Sequence, residues 1–320
     1  MKAQTTMAMD LDTWQEERKL DEACCRLLAN KVILARLLKA VVEEYQSTSL
    51  QELEQQVLEG TPSISTDTLD QDIPDAGRIK GENTVDKSIG EGNTTYDILF
   101  SAYSSERKQD NQVIINVESQ SKWNPGYPLL KRDSYYYGRL LSRQKGTVFT
   151  NSQYQKLEKV YTIWICLEPP NNKRNSITVF SMEPKRLVGH AKYAKMNYDM
   201  ATIIMVCLGS PKRKEKDILK LLSVLLSPVI LPNVKKRVLE QDYAIPMTVD
   251  MEREAESMCN IGRGLAVKYE EKGLKKGIQQ ERESNILGML KEKIPMETIA
   301  RITKASVEQI REIGKLHGVL

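Results

Sequence analysis

The chain has 320 residues, 40% of them hydrophobic, and its 47 basic and 43 acidic residues leave a net charge of only +4, so it can build one sizeable core plus a smaller appendage, and any basic footprint for a nucleic acid must be local. It contains no apolar run long enough to span a bilayer, and its opening, MKAQTTMAMDLDTW, lacks the apolar segment of a signal peptide, so neither a membrane span nor secretion is expected. Five cysteines without a Cys-x-x-Cys pair point to a reducing cytoplasm, and two histidines, His190 and His317, exclude most His-dependent nuclease, zinc and Ser-His-Asp schemes, which leaves carboxylates to carry any chemistry.

Residues 14 to 45 place Leu20, Ala23, Leu27, Leu28, Val32, Leu34, Leu38, Val41 and Val42 at helical spacing, which predicts one broken helix or two consecutive ones. Glu43 and Glu44 read as its solvated end. Residues 46 to 78 carry Pro62 and Pro74 among Ser, Thr, Asp and Gln and read as a short helix followed by a loop. Asp86 and Glu91 follow in GENTVDKSIGEG. Turn chemistry beside Gly81, Gly90 and Gly92 is their favoured reading, with support of a metal as the alternative for Glu91.

The stretch TTYDILFSAYSSERKQDNQVIINVESQ, Thr94 to Gln120, reads as two strands, 94–103 and 112–120, joined by a polar turn. A symmetric loop sets Asp97 opposite Glu118. Alternation then packs Tyr96, Ile98 and Phe100 with Val113, Ile115 and Val117 on one face and leaves Asp97, Asn116, Glu118 and Gln120 on the other. Opposed residues have Cβ atoms about 4.5–5.5 Å apart, so two carboxylates there need a cation between them. Mg²⁺, with Mn²⁺ or Ca²⁺ as alternatives, suits the ligand set of Asp97, Glu118 and the Ser119 carbonyl. The competing reading is a pair of solvated edge acids that discourage aggregation.

SKWNPGYP then stops the strand, and a helix from about Leu129 to Gln144 lines Leu129, Arg132, Tyr136, Arg139 or Leu140, and Gln144 along one side. Val160 to Leu167, Ile177 to Met182 and Ala201 to Leu208 are continuous apolar runs, which predict strands buried on both faces. His190 falls in a loop between two of them, as a surface residue. PKRKEK, with Lys212, Arg213, Lys214 and Lys216, and the later Lys235, Lys236 and Arg237 offer phosphate contacts or solvated faces. Residues 250 to 283 read as a helical connector interrupted by Gly262, Gly264, Gly273 and Gly277, through which a homodimer is expected. The tail ends in two short helices, with Ser306 as the N-cap of the second and Gln309 in the reciprocal position; since the second carries Glu308 and Glu312 as well as Arg311 and Lys315, a trihelical packing module with no DNA contact stands beside a DNA-reading helix pair.

An Asp on one strand, Glu-x-Gln on the next and a helix carrying Arg and Tyr together resemble the PD-(D/E)XK nuclease family transposases, relatives of the recombination-promoting nucleases. The resemblance rests on GENTVDKSIGEGNTTYDILF, VIINVESQSKWNPGYPLLKRDSYYYGRLLSRQKGTVF and KVYTIWICLEPP and extends from about Asn30 to Met258. It implies an α/β, restriction-endonuclease-like mixed sheet flanked by helices, with a C-terminal all-helical tail of helix-turn-helix type. The implied boundaries are 1–78, 79–245 and 246–320. It also implies a metal-dependent DNA endonuclease in which Asp97 and Glu118 hold the metal, Gln120 takes the place of the family lysine, and Arg132, Tyr136, Arg139 and Gln144 support the site from the helix. An extra helical acid near the metal, which such nucleases can carry, would fall to Glu43 or Glu44. A Gln amide orients through hydrogen bonds but supplies no positive charge. That departure keeps open a DNA-binding or regulatory protein that retains the fold without cutting, and RNA as a substrate also stays open. An RNase H-like transposase would need a third acid on a distant helix.

Overall fold

The computed structural model describes residues 6–54, 63–64, 79–81, 85–88, 92–103 and 112–320. Five strands carry the architecture. β5 (Ile98–Tyr103) and β6 (Gln112–Lys122) form an antiparallel hairpin; β7 (Lys159–Glu168) and β9 (Ala201–Cys207) continue it in parallel, and β8 (Ser176–Ser181) closes that side antiparallel to β9. Short β1 (Ser63–Ile64) and β2 (Ile79–Gly81) pair with the outer side of β5, while β3 (Val85–Ser88) and β4 (Gly92–Thr95) form a separate ribbon. The sheet is therefore mixed, and the chain is α/β with a long C-terminal helical region.

The parallel strands β7 and β9 are apolar almost throughout because both faces are covered, as buried parallel strands require, and β6 is buried from Val113 to Glu118 although it carries Asn116 and Glu118. On one face lie α1 (Thr6–Leu28), α2 (Lys31–Val41) and α5 (Ile218–Leu225), which share a core with Ile98, Phe100, Val113, Ile115, Val117, Ile163 and Ile204. Asn30 separates the first two helices: its side chain accepts from the N–H groups of Val32 (3.1 Å) and Ile33 (3.4 Å), which starts α2. The two-helix reading of the N-terminus is thus the observed one, and both helices share the core of the sheet. On the other face α4 (Leu129–Ser142) packs Leu129, Tyr136 and Leu140 on Leu99, Ile114, Val160 and Trp164.

Three expectations need correction. Tyr96 is buried in the α4-side core, away from Ile98 and Phe100, because the chain bends at Asp97 and breaks the alternation; its ring meets Tyr136 edge-on at 5.3 Å. β8 is not buried on both faces, since Thr178 to Ser181 are all exposed. The four glycines do not interrupt the connector: α7 (Val249–Lys291) runs through them, at a cost of about 1 kcal/mol per glycine relative to alanine. Gly262 has a reason to be there, because a Cβ would come within 2.5 Å of Pro228 Cβ and 2.9 Å of its carbonyl oxygen.

The chain forms two compact units. One spans Trp14–Gly262 and holds the sheet, with α6 (Pro232–Tyr243) and the start of α7. The other comprises Arg263–Leu320 with the described start of the chain up to Thr13. Within it α8 (Met296–Thr303) and α9 (Val307–Leu316) bury Ile299 and Ile310 against Ile286 and Leu290 of α7. Ser306 and Gln309 form the expected capping box at the start of α9, with bonds of 3.2 and 3.1 Å. Among the described residues no helix is long and apolar enough to cross a membrane, and all five cysteines are buried free thiols.

Candidate functional site

The hairpin register runs from Tyr103 opposite Gln112 to Ile98 opposite Val117, so the next step along both strands sets Asp97 against Glu118. The two residues are interlocked through the backbone. Asp97 donates its N–H to Glu118 Oε1 (3.2 Å), and Asp97 Oδ2 accepts the N–H of Ser119 (2.9 Å). Glu118 is only 3% exposed and Asp97 is half-buried. Burial pushes the Glu118 carboxyl well above the usual range and the neighbouring Asp97 charge pushes it further; Arg132, Asn116 and the Asp97 N–H pull the other way. Asp97 is raised by burial too, opposed by the Ser119 N–H, the Cys25 thiol and Arg132. Holding both groups ionised is costly here unless positive charge is supplied.

Arg132 supplies positive charge to both carboxylates, and it is caged by aromatics. Its guanidinium lies 4.9 Å from the Tyr136 ring centre, 5.2 Å from Trp164 and 5.9 Å from Tyr127. Nε and one terminal nitrogen donate to the Tyr136 hydroxyl (3.1 and 2.6 Å), and the other donates to the Tyr127 hydroxyl (3.0 Å). The Arg132–Tyr136 pair owes its contact to i,i+4 spacing on α4. Both carboxylates feel the Arg132 charge, yet among the described residues it forms no ion pair with either of them.

The other expected residues separate into those that converge and those that do not. Gln120 is half-buried two residues beyond Glu118, and its Nε2 donates to the Lys122 carbonyl (2.8 Å). Arg139 is buried lower on α4 and donates to the Tyr135 hydroxyl (3.0 Å). Gln144 is fully buried and uses both amide atoms on Glu158, donating to its carbonyl (3.0 Å) and accepting its N–H (2.8 Å). It clamps the end of α4 to the start of β7. Glu91 lies outside the described residues. Glu43 pairs with Lys195 (2.6 Å), and Glu44 accepts the Tyr161 hydroxyl and lies 3.7 Å from Lys159. Lys159 opposes Val113 and Tyr161 opposes Ile115, so the partners of Glu44 sit roughly 10–16 Å along β6 from Glu118 at about 3.3 Å per residue. The basic runs are partly engaged: Arg213 pairs with Asp217 (2.7 Å), Lys216 with Asp242 (2.7 Å), which also takes Lys220 (3.0 Å), and Lys236 with Glu252 (2.5 Å).

Two acids escaped the sequence reading. Asp21 on α1 is hydrogen-bonded by the Ser121 hydroxyl and lies close enough to Asp97 to feel its charge; burial first, then Asp97, push it up to about 6. Asp133 is fully buried under α4 beside Thr162 and Trp164, and burial pushes it up to about 7. The signal was present in both cases. Asp21 continues the buried stripe of Cys24, Cys25 and Leu28, and Asp133 interrupts that of Leu129, Tyr136 and Leu140. An acid at an apolar position of an amphipathic helix marks burial.

Among the described residues no three His, Cys, Asp or Glu side chains are grouped closely enough to hold a metal ion. A cation here would rest on the two carboxylates, a backbone carbonyl and water. That donor set fits a hard divalent ion, and the unbalanced negative charge of Asp97 and Glu118 gives it a reason to bind. Comparison with family models, curated proteins and solved structures finds no match.

Proposed function

We propose that the chain is a metal-dependent DNA endonuclease with a restriction-endonuclease-like core, of the PD-(D/E)XK type that its sequence resembles, acting in transposition or recombination. The observation that carries this reading is the interlocked Asp97–Glu118 pair at the end of the β5–β6 pairing, beside an aromatic-caged Arg132 that among the described residues forms no ion pair with either acid. Asp97, Glu118 and the Ser119 carbonyl would hold Mg²⁺, which when bound supplies a Lewis acid for the phosphoryl oxygen and lowers the pKa of attacking water. Gln120 orients that water through its amide oxygen, since its nitrogen is bound to Lys122. Arg132 stabilises negative charge developing on the phosphoryl oxygens. Tyr136 and Tyr127 position Arg132, and α8–α9 contribute a helix-turn-helix contact to DNA.

A second reading, a DNA-binding protein that does not cut, is favoured by the lack of a lysine at position 120 and by the engagement of the Gln120 amide within its own strand. Cleavage assays on purified protein separate the two. The nuclease reading expects Mg²⁺-dependent cutting that is abolished by EDTA and reduced at least a hundredfold in Asp97→Ala and Glu118→Ala. Equal cutting by wild type and variants would show contamination. DNA binding in Ca²⁺ with no cutting in any metal would establish the second reading.

A further inference from the structure

We infer that the outer edge of β8 is a dimer seam, where two copies of this chain pair antiparallel about a two-fold axis and continue the sheet from one protomer into the other. Among the described residues β8 pairs with β9 alone, so half of its backbone N–H and C=O groups point outward with no strand to receive them. Such edges are ordinarily blunted by lysine, proline, a bulge or a covering element. Here the edge reads Ser176-Ile-Thr-Val-Phe-Ser-Met182, with no charge and no proline. Beyond Ile177, which packs against the core, its apolar residues are open on both faces: Val179 is 52% exposed, Phe180 42% and Met182 61%.

The occupant follows from the chemistry of the edge. Outward backbone groups at strand spacing select another extended strand over a helix or a small molecule, and an uncharged, apolar edge selects an uncharged partner strand. A second copy offers that strand in every case, because an antiparallel edge is complementary to itself across a two-fold axis. With Val179 on the axis, Thr178 faces Phe180 and Ile177 faces Ser181, so no like charges are opposed. Beyond the strand, Glu183 of each copy comes level with Asn175, next to Arg174 of the other.

This interface is distinct from self-association through α7 and does not depend on the nuclease reading. The test uses the full chain. Sedimentation velocity over a wide concentration range is expected to show a dimer. Val179→Lys should weaken it at least tenfold, while Leu274→Lys, at an exposed position of α7, should leave it unchanged. A single cysteine at position 178, 179 or 180 provides an independent measurement, because all five native thiols are buried. At the residue on the axis, mild oxidation with diamide should give a disulfide-linked dimer. A monomeric wild type, a dimer indifferent to Val179→Lys, a dimer lost in Leu274→Lys, or no cross-link at any of the three positions would overturn the proposal.

Discussion

Lys235 offers the most quantitative test of how this fold handles charge. It lies on α6 with 0% exposure, and its Nζ donates to the Leu225 carbonyl (2.8 Å) and reaches Met258 Sδ at 3.4 Å. No carboxylate among the described residues pairs with it. Burial lowers its pKa from 10.5 to about 8, partly offset by the Cys259 and Cys24 thiols. At about 1.4 kcal/mol per pH unit, the fold loses about 3 kcal/mol by keeping the ammonium charged at pH 7. Lys235→Met keeps the length of the side chain and removes the charge. It also removes the donor from Leu225, in the last turn of α5, which costs about 1 kcal/mol. The expected outcome at pH 7 is a net stabilisation of about 2 kcal/mol. The unfolded chain binds more protons than the folded one between pH 8 and 10.5, so wild-type stability rises with pH across that window. The advantage of the variant should therefore shrink to near zero by about pH 9.5. Urea unfolding of both proteins at the two pH values is the assay. A destabilised variant at pH 7, or a pH-independent difference, would refute the reasoning by showing that the ammonium's bonds outweigh its burial.

The same linkage applies with opposite sign to the buried acids. Asp133, pushed from 3.8 up to about 7, binds its proton more tightly when folded, so the wild type loses stability as pH rises through that range; Asp133→Asn should gain up to about 4 kcal/mol at pH 8 and little below pH 4, read as the difference between two unfolding curves. Glu118 is also raised, so Glu118→Gln should stabilise the metal-free protein at pH 8 more than at pH 5. Mn²⁺ at a hundredfold excess over its dissociation constant should raise wild-type stability by about 2.7 kcal/mol and leave Asp97→Asn/Glu118→Gln unmoved in a thermal melt; an equal shift in both would remove the carboxylates from the metal site. Gln144→Ala forfeits both bonds to Glu158 and should cost about 2–3 kcal/mol in urea unfolding. Its DNA affinity should stay unchanged; a specific loss of binding in a folded variant would return Gln144 to the site.

The parts legible in the sequence were those where local chemistry and tertiary packing agree. β7 and β9 read as buried strands because parallel strands covered on both faces have no polar face to lose. The Asp97–Glu118 pairing followed from a symmetric loop, and the α9 start from its capping box. Where the reading failed, packing had overruled the pattern. Tyr96 crosses to the other face because a bend at Asp97 resets the alternation, a change that no residue type announces. β8 has the apolar texture of a buried strand, but Val179 and Phe180 lie beyond the cover of the helices. PKRKEK read as phosphate contacts or a solvated face, and its Arg213 and Lys216 are paired with Asp217 and Asp242. Helical spacing gave Arg132 and Tyr136 a common side, but only coordinates show Gln144 clamping a backbone instead of facing the acids.

The placement of Arg132 bears most directly on what the acid pair is for. A fold seeking stability alone would let this guanidinium close onto Glu118, since a buried carboxylate left without an ion pair costs more than one neutralised in place. Instead two phenols hold it: Tyr136 takes two of its donors and Tyr127 a third, while the Trp164 ring supports it from the sheet. Turning toward Glu118 would surrender those bonds and the ring contacts together. The arginine therefore supplies its field to both carboxylates without an ion pair to either, while Glu118 Oε1 and Asp97 Oδ2 take the backbone N–H groups of Asp97 and Ser119. On the nuclease reading proposed above, that separation is what would let the acid pair admit a divalent ion and a phosphate.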